Sequence, residues 1–409
     1  MPQSDFKVYG SRWIMLTVCR LIVAVNQLLW ITFAPITSDA TKFYNVTDLQ
    51  IGILSMSFMI VYIVVSIPAP WIIDKYGIRI GVGIGAVLTG VFGLLRAFAG
   101  TDYNLLLIAQ IGIAVGQPFI LNAITKLAAR WFPIEERATA TGLGTLAMYI
   151  GILLGMTLTP YLTIGSGING MLYIYGIISI ITTLIFIVLI RERPPTAPCR
   201  PDQEERSLVF DGFKQTLVTR DFIWLMVIFF IGLGVFNSVT TWIEDILRPR
   251  GFSATQAGIT GGLMIVGGVI GALIIPVLSD RYKKRTPFII IALIGATLGL
   301  AGITFATTYC LLLASGMVLG FFLLSSGPIG FQYGAEITYP ASEGTSNGML
   351  LMMGQISGIA FIFAMDSFKS PINGSMTRSL IILIALMVIS ILISLRLKES
   401  KILSGIGDK

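Results

Sequence analysis

The strongest constraint on this chain is the recurrence, from end to end, of apolar runs about 20 residues long. A helix needs roughly that many mainly apolar residues to cross a bilayer. Twelve such runs can be read, at 13–38, 49–71, 78–100, 103–129, 137–163, 169–191, 221–246, 254–279, 286–306, 308–333, 344–367 and 375–397. Barrel strands are the other way to span a membrane. They are short and alternate with period two, whereas these runs are long and continuously apolar. The expected fold is an all-α membrane protein of 12 transmembrane helices. Composition agrees: 55% of the 409 residues are hydrophobic and 12% are charged, about half the charge of a soluble domain. A soluble enzyme, a nucleic-acid binder and a disordered scaffold are excluded on these grounds.

The net charge of +7 is read by where it falls. With both termini placed in the cytoplasm, cytoplasmic segments hold 20 of the 28 basic residues. Outer loops hold five, and Arg20, Arg96 and Lys126 fall inside spans. That bias follows the positive-inside rule. The N-terminus lacks the pattern of a cleaved signal, so the first span is expected to direct insertion. Histidine is absent and the three cysteines lie far apart, so metal sites and disulfide scaffolds are not expected. No Walker loop, H-E-x-x-H or nucleophile elbow occurs, and neither an enzyme nor a bound cofactor is expected. Asn45 and Asn373 open glycosylation sequons in short outer loops, which reads as chance.

The polar stretch at 192–219 divides the chain into bundles at 1–191 and 220–409. Its Pro-rich start cannot continue a helix. Phe210, Phe213 and Leu217 could line one face of a helix on the inner membrane surface; a solvated tether fits equally. The halves repeat one another. Pro70, Asp74, Tyr76 and Arg79 recur as Pro276, Asp280, Tyr282 and Arg285, each 206 residues later, and Gly142 and Gly348 keep the same offset. Two pseudo-symmetric six-helix bundles are the signature of duplicated transporter halves. Gly151/Gly155, Gly267/Gly271 and Gly354/Gly358 are G-x-x-x-G pairs that allow close helix packing.

The repeated loop, with Asp74, Gly77 and Arg79, resembles motif A of the major facilitator superfamily, with Pro70 where the family usually has Gly. A carboxylate there can sit at a helix N-terminus. The resemblance implies that Asp74 faces the start of span 11 near Gly344, and Asp280 the start of span 5. Arg79 could pair with Glu135 or Glu136. These contacts would close the cytoplasmic side, so Asp74→Ala is expected to favour the inward-open state. Four segments further resemble the feline leukaemia virus subgroup C receptor-related family, carriers of choline, ethanolamine and haem. They are NQLLWI (26–31), SMSFMIVYIVVSIPAPWIID (55–74), GQPFILNAITKLAARWF (116–132) and GPIGFQYGAEITYPASEGTSNG (327–348), followed by Gln355.

Polar groups at mid-membrane depth are functional candidates. Asn26 and Trp30 lie in span 1, Gln117 and Asn122 in span 4, Asn237 in span 7 and Gln355 in span 11. The resemblance implies that Trp30, Gln117 and Gln355 line a cavity between the halves. The indole would take a quaternary ammonium by a cation–π contact, and the glutamines would take its hydroxyl. Phe58, Met59 and Tyr62 would complete the wall. Trp30 could instead be an interfacial anchor, and for Asn26 and Asn122 an interhelical hydrogen bond is the preferred reading. No acidic residue lies at mid-depth, which points to a uniporter rather than a proton-coupled carrier.

The embedded cations remain. Lys126 is expected to snorkel; the resemblance implies a structural or gating role for it. Arg96 is expected to snorkel outward. Arg20 either faces the cavity, which would suit a carboxylate or phosphate solute, or serves an inner gate with Glu336 or a backbone carbonyl. The expected protein is a monomeric plasma-membrane transporter of a small organic solute, choline or a related amine first. It needs no partner beyond solute and lipid bilayer, and nucleic acid is not one. The rivals are an organic-anion carrier using Arg20 and a non-transporting membrane receptor.

Overall fold

The computed structural model describes residues 9–196, 216–339 and 343–399. Phe210 and Phe213 of the expected surface helix lie outside the described residues, as do 340–342 of the fourth resembling segment. Among the described residues the regular structure is helical throughout, with no strand.

Among the described residues, eleven elements are long and apolar enough to cross a bilayer. The difference from twelve lies in one element, Thr139–Leu189, of 51 residues. At 1.5 Å per residue it would run about 77 Å, more than twice the hydrocarbon thickness. It is two crossings. At Gly167 the backbone takes φ 70° and ψ 174°, which no helix allows. That φ is costly for a residue with a Cβ. Gly167 falls in the gap between the runs ending at 163 and starting at 169. The fold is therefore the expected twelve-crossing one.

The crossings are broken where proline removes a backbone donor. The first ends as α1 (Ser11–Ile31), with Pro35 inside the short 3₁₀ turn Ala34–Ile36, and resumes as α2 (Thr37–Tyr44). The second divides at Pro68 into α3 (Asp48–Val65) and α4 (Pro68–Tyr76). After α5 (Ile78–Leu95), the fourth crossing divides past Pro118 into α6 (Tyr103–Leu121) and α7 (Ala123–Trp131). The long α8 (Ile134–Leu189) follows. Later come α9 (Arg220–Thr241), the short α10 (Ile243–Leu247), α11 (Ala254–Tyr282), α12 (Thr286–Phe305), α13 (Tyr309–Thr338), α14 (Glu343–Ser367) and α15 (Thr377–Ser394).

The chain divides into two compact units. One holds Met1–Phe33 with Asp39–Ser207, the other Ala34–Ser38 with Leu208–Lys409. In the first unit α1 packs along α8, and α5 along both α6 and α8. Its core gathers Leu16, Ile22, Val23, Val82, Leu127, Trp131 and Phe132. Gly151 lies where a Cβ would strike the Ala24 carbonyl of α1, so glycine sets that approach. In the second unit α11 and α13 are the most closely paired helices. Gly271 meets the Phe321 carbonyl and Gly320 the Met264 carbonyl. Outward faces stay apolar: Ile177, Ile181, Leu184 and Val188 form an exposed stripe at helical spacing, as a lipid-facing surface requires.

Local caps repeat between the units. Thr47 and Ser253 each open a capping box, closed by Gln50 and Gln256. Asp102 and Thr308 cap α6 and α13 through their side chains. Both pairs keep the 206-residue offset. Such side-chain acceptors satisfy amides that the first turn leaves unpaired.

Candidate functional site

In the first unit, Trp30 lies in the last turn of α1 and is 6% exposed. Its indole N–H donates to the Ser55 carbonyl on α3 at 3.1 Å. That bond fixes the ring plane and brings it to the face of α3 that carries Phe58, Met59 and Tyr62, three, four and seven residues on. All three are buried. The Tyr62 hydroxyl donates to Asn122 Oδ1 at 3.3 Å, at the C-cap of α6. Gln117 sits on the same helix and is 7% exposed; its amide makes no hydrogen bond to any described residue. The first unit thus carries a tethered indole on α1, buried phenyl and thioether side chains on α3, and on α6 an amide without a hydrogen-bond partner among the described residues. Asn26 is engaged instead, donating to Thr89 Oγ1 at 3.1 Å and to the Ile113 carbonyl at 3.5 Å. It and Asn122 are interhelical ties, as the sequence suggested.

In the second unit, Asn237 Nδ2 donates to the Gly354 carbonyl at 3.1 Å. Asn237 thus ties α9 to the turn of α14 that carries Gln355. Gln355 is half-buried, and its amide has no hydrogen-bond partner among the described residues.

The repeated loops hold two charge clusters. In the first unit Asp74 pairs with Lys126, whose ammonium also donates to the Ile73 carbonyl at 3.0 Å. A carboxylate of the repeated loop thus holds the Lys126 ammonium. Arg79 does not pair with Glu136 either. Glu136 is taken by Arg12 through two bonds of 2.9 and 3.1 Å, and the Glu135 side chain lies outside the described residues. Arg79 uses its backbone N–H, which with that of Ile78 donates to Glu192 at 2.8 and 3.1 Å. Glu192 also pairs with Arg130.

In the second unit the Arg285 guanidinium pairs with Asp280 and, at 3.1 Å, with Glu336. Gln332 also donates to Glu336 at 3.1 Å. Glu336 thus has Arg285 as its ion-pair partner within the second unit. Burial disfavours the Arg285 charge, but the hydrogen bonds to Asp280 and Glu336 outweigh it and raise its pKa above the ordinary value. Glu399 accepts from the backbone N–H groups of Arg285 at 2.6 Å and Thr286 at 3.3 Å. Glu192 and Glu399 therefore play one role in each unit, a carboxylate on the N-terminus of the next helix. Reasoning from sequence missed both. Their signal was the repeat itself, since 192 and 399 differ by nearly the same offset as the motif.

Arg96 overturns its expectation. It is fully buried. Its Nη1 donates to the Leu29 carbonyl at 3.1 Å and to Gln110 Oε1 at 2.9 Å, and its guanidinium lies 5.8 Å from the Phe33 ring. The side chain turns inward to a carbonyl in the last turn of α1, where backbone N–H partners run out; the Thr32 hydroxyl also reaches that carbonyl at 3.2 Å. Arg20 is half-buried, and its Nε is sealed from solvent without a hydrogen-bond partner. Glu244 and Asp245 are 2% and 0% exposed. Arg248 reaches them at 3.3 and 2.7 Å, Lys369 reaches Asp245 at 3.2 Å, and the Ser38 amide donates to Glu244 at 3.0 Å.

Comparison with known proteins now gives this architecture its context. The profile of the Major Facilitator Superfamily matches residues 20–362. "Solute carrier family 49 member A3" of Xenopus tropicalis is 31% identical over 385 residues, covering 90% of this chain and 80% of that protein. "Choline/ethanolamine transporter FLVCR1" of Felis catus is 29% identical, covering 89% and 69%. Among solved structures, a bacterial homologue of the human lysosomal transporter Spinster superposes with TM-score 0.77 at 16% identity, covering 96% and 98%; that likeness concerns the fold alone. The chain belongs to the major facilitator superfamily, within the branch of feline leukaemia virus subgroup C receptor-related transporters.

Proposed function

We propose that this secondary transporter is a facilitative uniporter of choline or a related small amine, working by alternating access in the plasma membrane. The observation that carries the reading is Trp30. Its ring plane is held by the bond to Ser55, beside the buried Phe58, Met59 and Tyr62. A quaternary ammonium over a desolvated indole gains about 2 kcal/mol. The unused amide of Gln117 supplies a partner for a hydroxyl, and Gln355, next to the Gly354 carbonyl that Asn237 binds, offers a second amide. The name of the feline relative, a choline/ethanolamine transporter, favours the same solute class.

In this reading the segments 1–191 and 220–409 are the moving halves and 192–219 the link. Asp74, Lys126, Arg79, Asp280, Arg285 and Glu336 act as gating residues at the loop ends. The bias of Lys and Arg supports cytoplasmic termini. The protein works as a monomer. A second reading, an organic-anion carrier, rests on the unpartnered Nε of Arg20. Ligand-dependent thermal stabilisation and tryptophan quenching of purified protein separate the two. Choline and ethanolamine should stabilise the wild type, and Trp30→Ala should lose the response. Stabilisation by acetate or succinate instead, lost in Arg20→Gln, would establish the anion reading. No response to either class would favour a receptor without transport.

A further inference from the structure

The end of α5 places a permanent cation inside the first unit without a counter-ion. Arginine stays charged in proteins, and Arg96 is fully buried. One guanidinium nitrogen, Nη1, is occupied by the Leu29 carbonyl and Gln110. The Gln110 amide is consumed as well, since its Nε2 turns to the Leu29 carbonyl at 3.3 Å. The other two nitrogens, Nε and Nη2, are sealed from solvent and have no protein hydrogen-bond partner. The ionisable groups that interact electrostatically with the guanidinium are two phenols, Tyr44 and Tyr175. No carboxylate is among them. The Tyr175 hydroxyl is engaged with Thr159 at 2.9 Å. The Tyr44 hydroxyl is buried and, like the two nitrogens, has no partner.

These groups share a character. Nε–H and Nη2–H lie on one edge of the guanidinium and point the same way, a fork that accepts one anionic atom. Tyr44 adds an O–H donor, and its ring packs edge-on against Phe33 at 6.4 Å, the ring that also faces Arg96. A water molecule could accept these protons but would leave the charge uncompensated in a low-dielectric interior, where an unpaired ion is strongly disfavoured. A small anion answers both requirements. A route is present. An open groove of about 470 Å³ is lined by Asp39, Lys42, Phe43, Thr163, Ile164 and Ile168. The Phe43 ring contacts Tyr44 at 4.9 Å, and Thr163 donates to the Thr159 carbonyl at 2.8 Å, beside Tyr175. The groove therefore abuts the cluster.

We propose that Arg96 Nε–H and Nη2–H, together with the Tyr44 hydroxyl, bind one small monovalent anion of the chloride class within the first unit. The site is independent of the amine reading and stands or falls without it.

The test is the unfolding midpoint of purified wild-type protein, with sodium chloride or bromide exchanged for sodium gluconate at constant ionic strength. The midpoint should rise with chloride and bromide and saturate. Tyr44→Phe, which removes one charge-assisted hydrogen bond, should raise the half-saturating chloride concentration about tenfold. Arg96→Gln should abolish the response. Should Arg96→Gln fail to fold, a bromide-soaked crystal of the wild type decides, with an anomalous peak expected within hydrogen-bond distance of Arg96 and Tyr44. A midpoint that follows ionic strength but not anion identity overturns the proposal. So does a response to acetate without one to chloride, a saturable chloride effect that survives in Arg96→Gln, or a crystal showing only water at Arg96.

Discussion

Replacing Glu336 by alanine should destabilise the second unit by about 3–5 kcal/mol, the usual cost of breaking a buried pair. The estimate follows from burial and bond count. Side-chain exposures of Arg285 and Glu336 are 7% and 8%. Glu336 Oε1 accepts from Arg285 Nε at 3.2 Å, from Arg285 Nη2 at 3.1 Å and from Gln332 at 3.1 Å. At that separation and an effective dielectric constant of 20, the attraction is about 5 kcal/mol. Alanine leaves two guanidinium nitrogens unpaired, with Asp280, 64% exposed, as the remaining carboxylate partner. Glu336→Gln keeps a neutral acceptor and should cost about 2 kcal/mol. The double change Arg285→Met with Glu336→Leu removes both charges and should cost about 1 kcal/mol or less. The control is Asp74→Ala. The Lys126–Asp74 pair is 20% and 33% exposed, and such partly solvated pairs contribute about 1 kcal/mol or less. Equilibrium unfolding in mixed micelles with sodium dodecyl sulfate measures all four variants. The reasoning is refuted if Glu336→Ala lies within about 0.5 kcal/mol of wild type, or if the double variant is as unstable as the single one.

Other outcomes follow from the same contacts. Gly271→Val should lose about 1–3 kcal/mol by overpacking against the Phe321 carbonyl, whereas Gly165→Ala, with open space around its Cβ, should stay near wild type in the same unfolding assay. Glu399→Ala should cost about 1 kcal/mol, the value of an N-terminal cap. It should also speed hydrogen exchange at the Arg285 and Thr286 amides, which that carboxylate holds. Equal exchange in both proteins would show that the cap is not formed.

Much of this fold could be read from residue order because lipid allows few solutions. The twelve runs could be counted by length alone, and Gly167 sat in the gap left between the fifth and sixth. The motif repeat pointed to two equivalent halves, and the capping boxes at Thr47 and Ser253 extend it. Side-chain partners were less legible. An arginine near the outer end of a span reads as a snorkelling residue, and nothing local says that the Leu29 carbonyl and Gln110 stand ready to draw Arg96 inward. The Arg79–Glu136 pairing failed for a similar reason. Arg12, 124 residues away along the chain, reaches that carboxylate first. Glu192 and Glu399 were overlooked because each lies just beyond an apolar run, where a charge reads as an ordinary loop residue. Trp30 was singled out by its depth and its surrounding motif, but its bond to Ser55 depends on the packing of α1 against α3.

The central claim, an aromatic amine site in a gradient-driven carrier, is tested most directly by radiolabelled choline counterflow in proteoliposomes without a proton or sodium gradient. Wild-type protein should show counterflow. Trp30→Ala should weaken apparent affinity about thirtyfold, the equivalent of a 2 kcal/mol cation–π contact. Folded wild-type protein that shows no choline counterflow, or a Trp30→Ala variant that transports as well as wild type, would contradict the account.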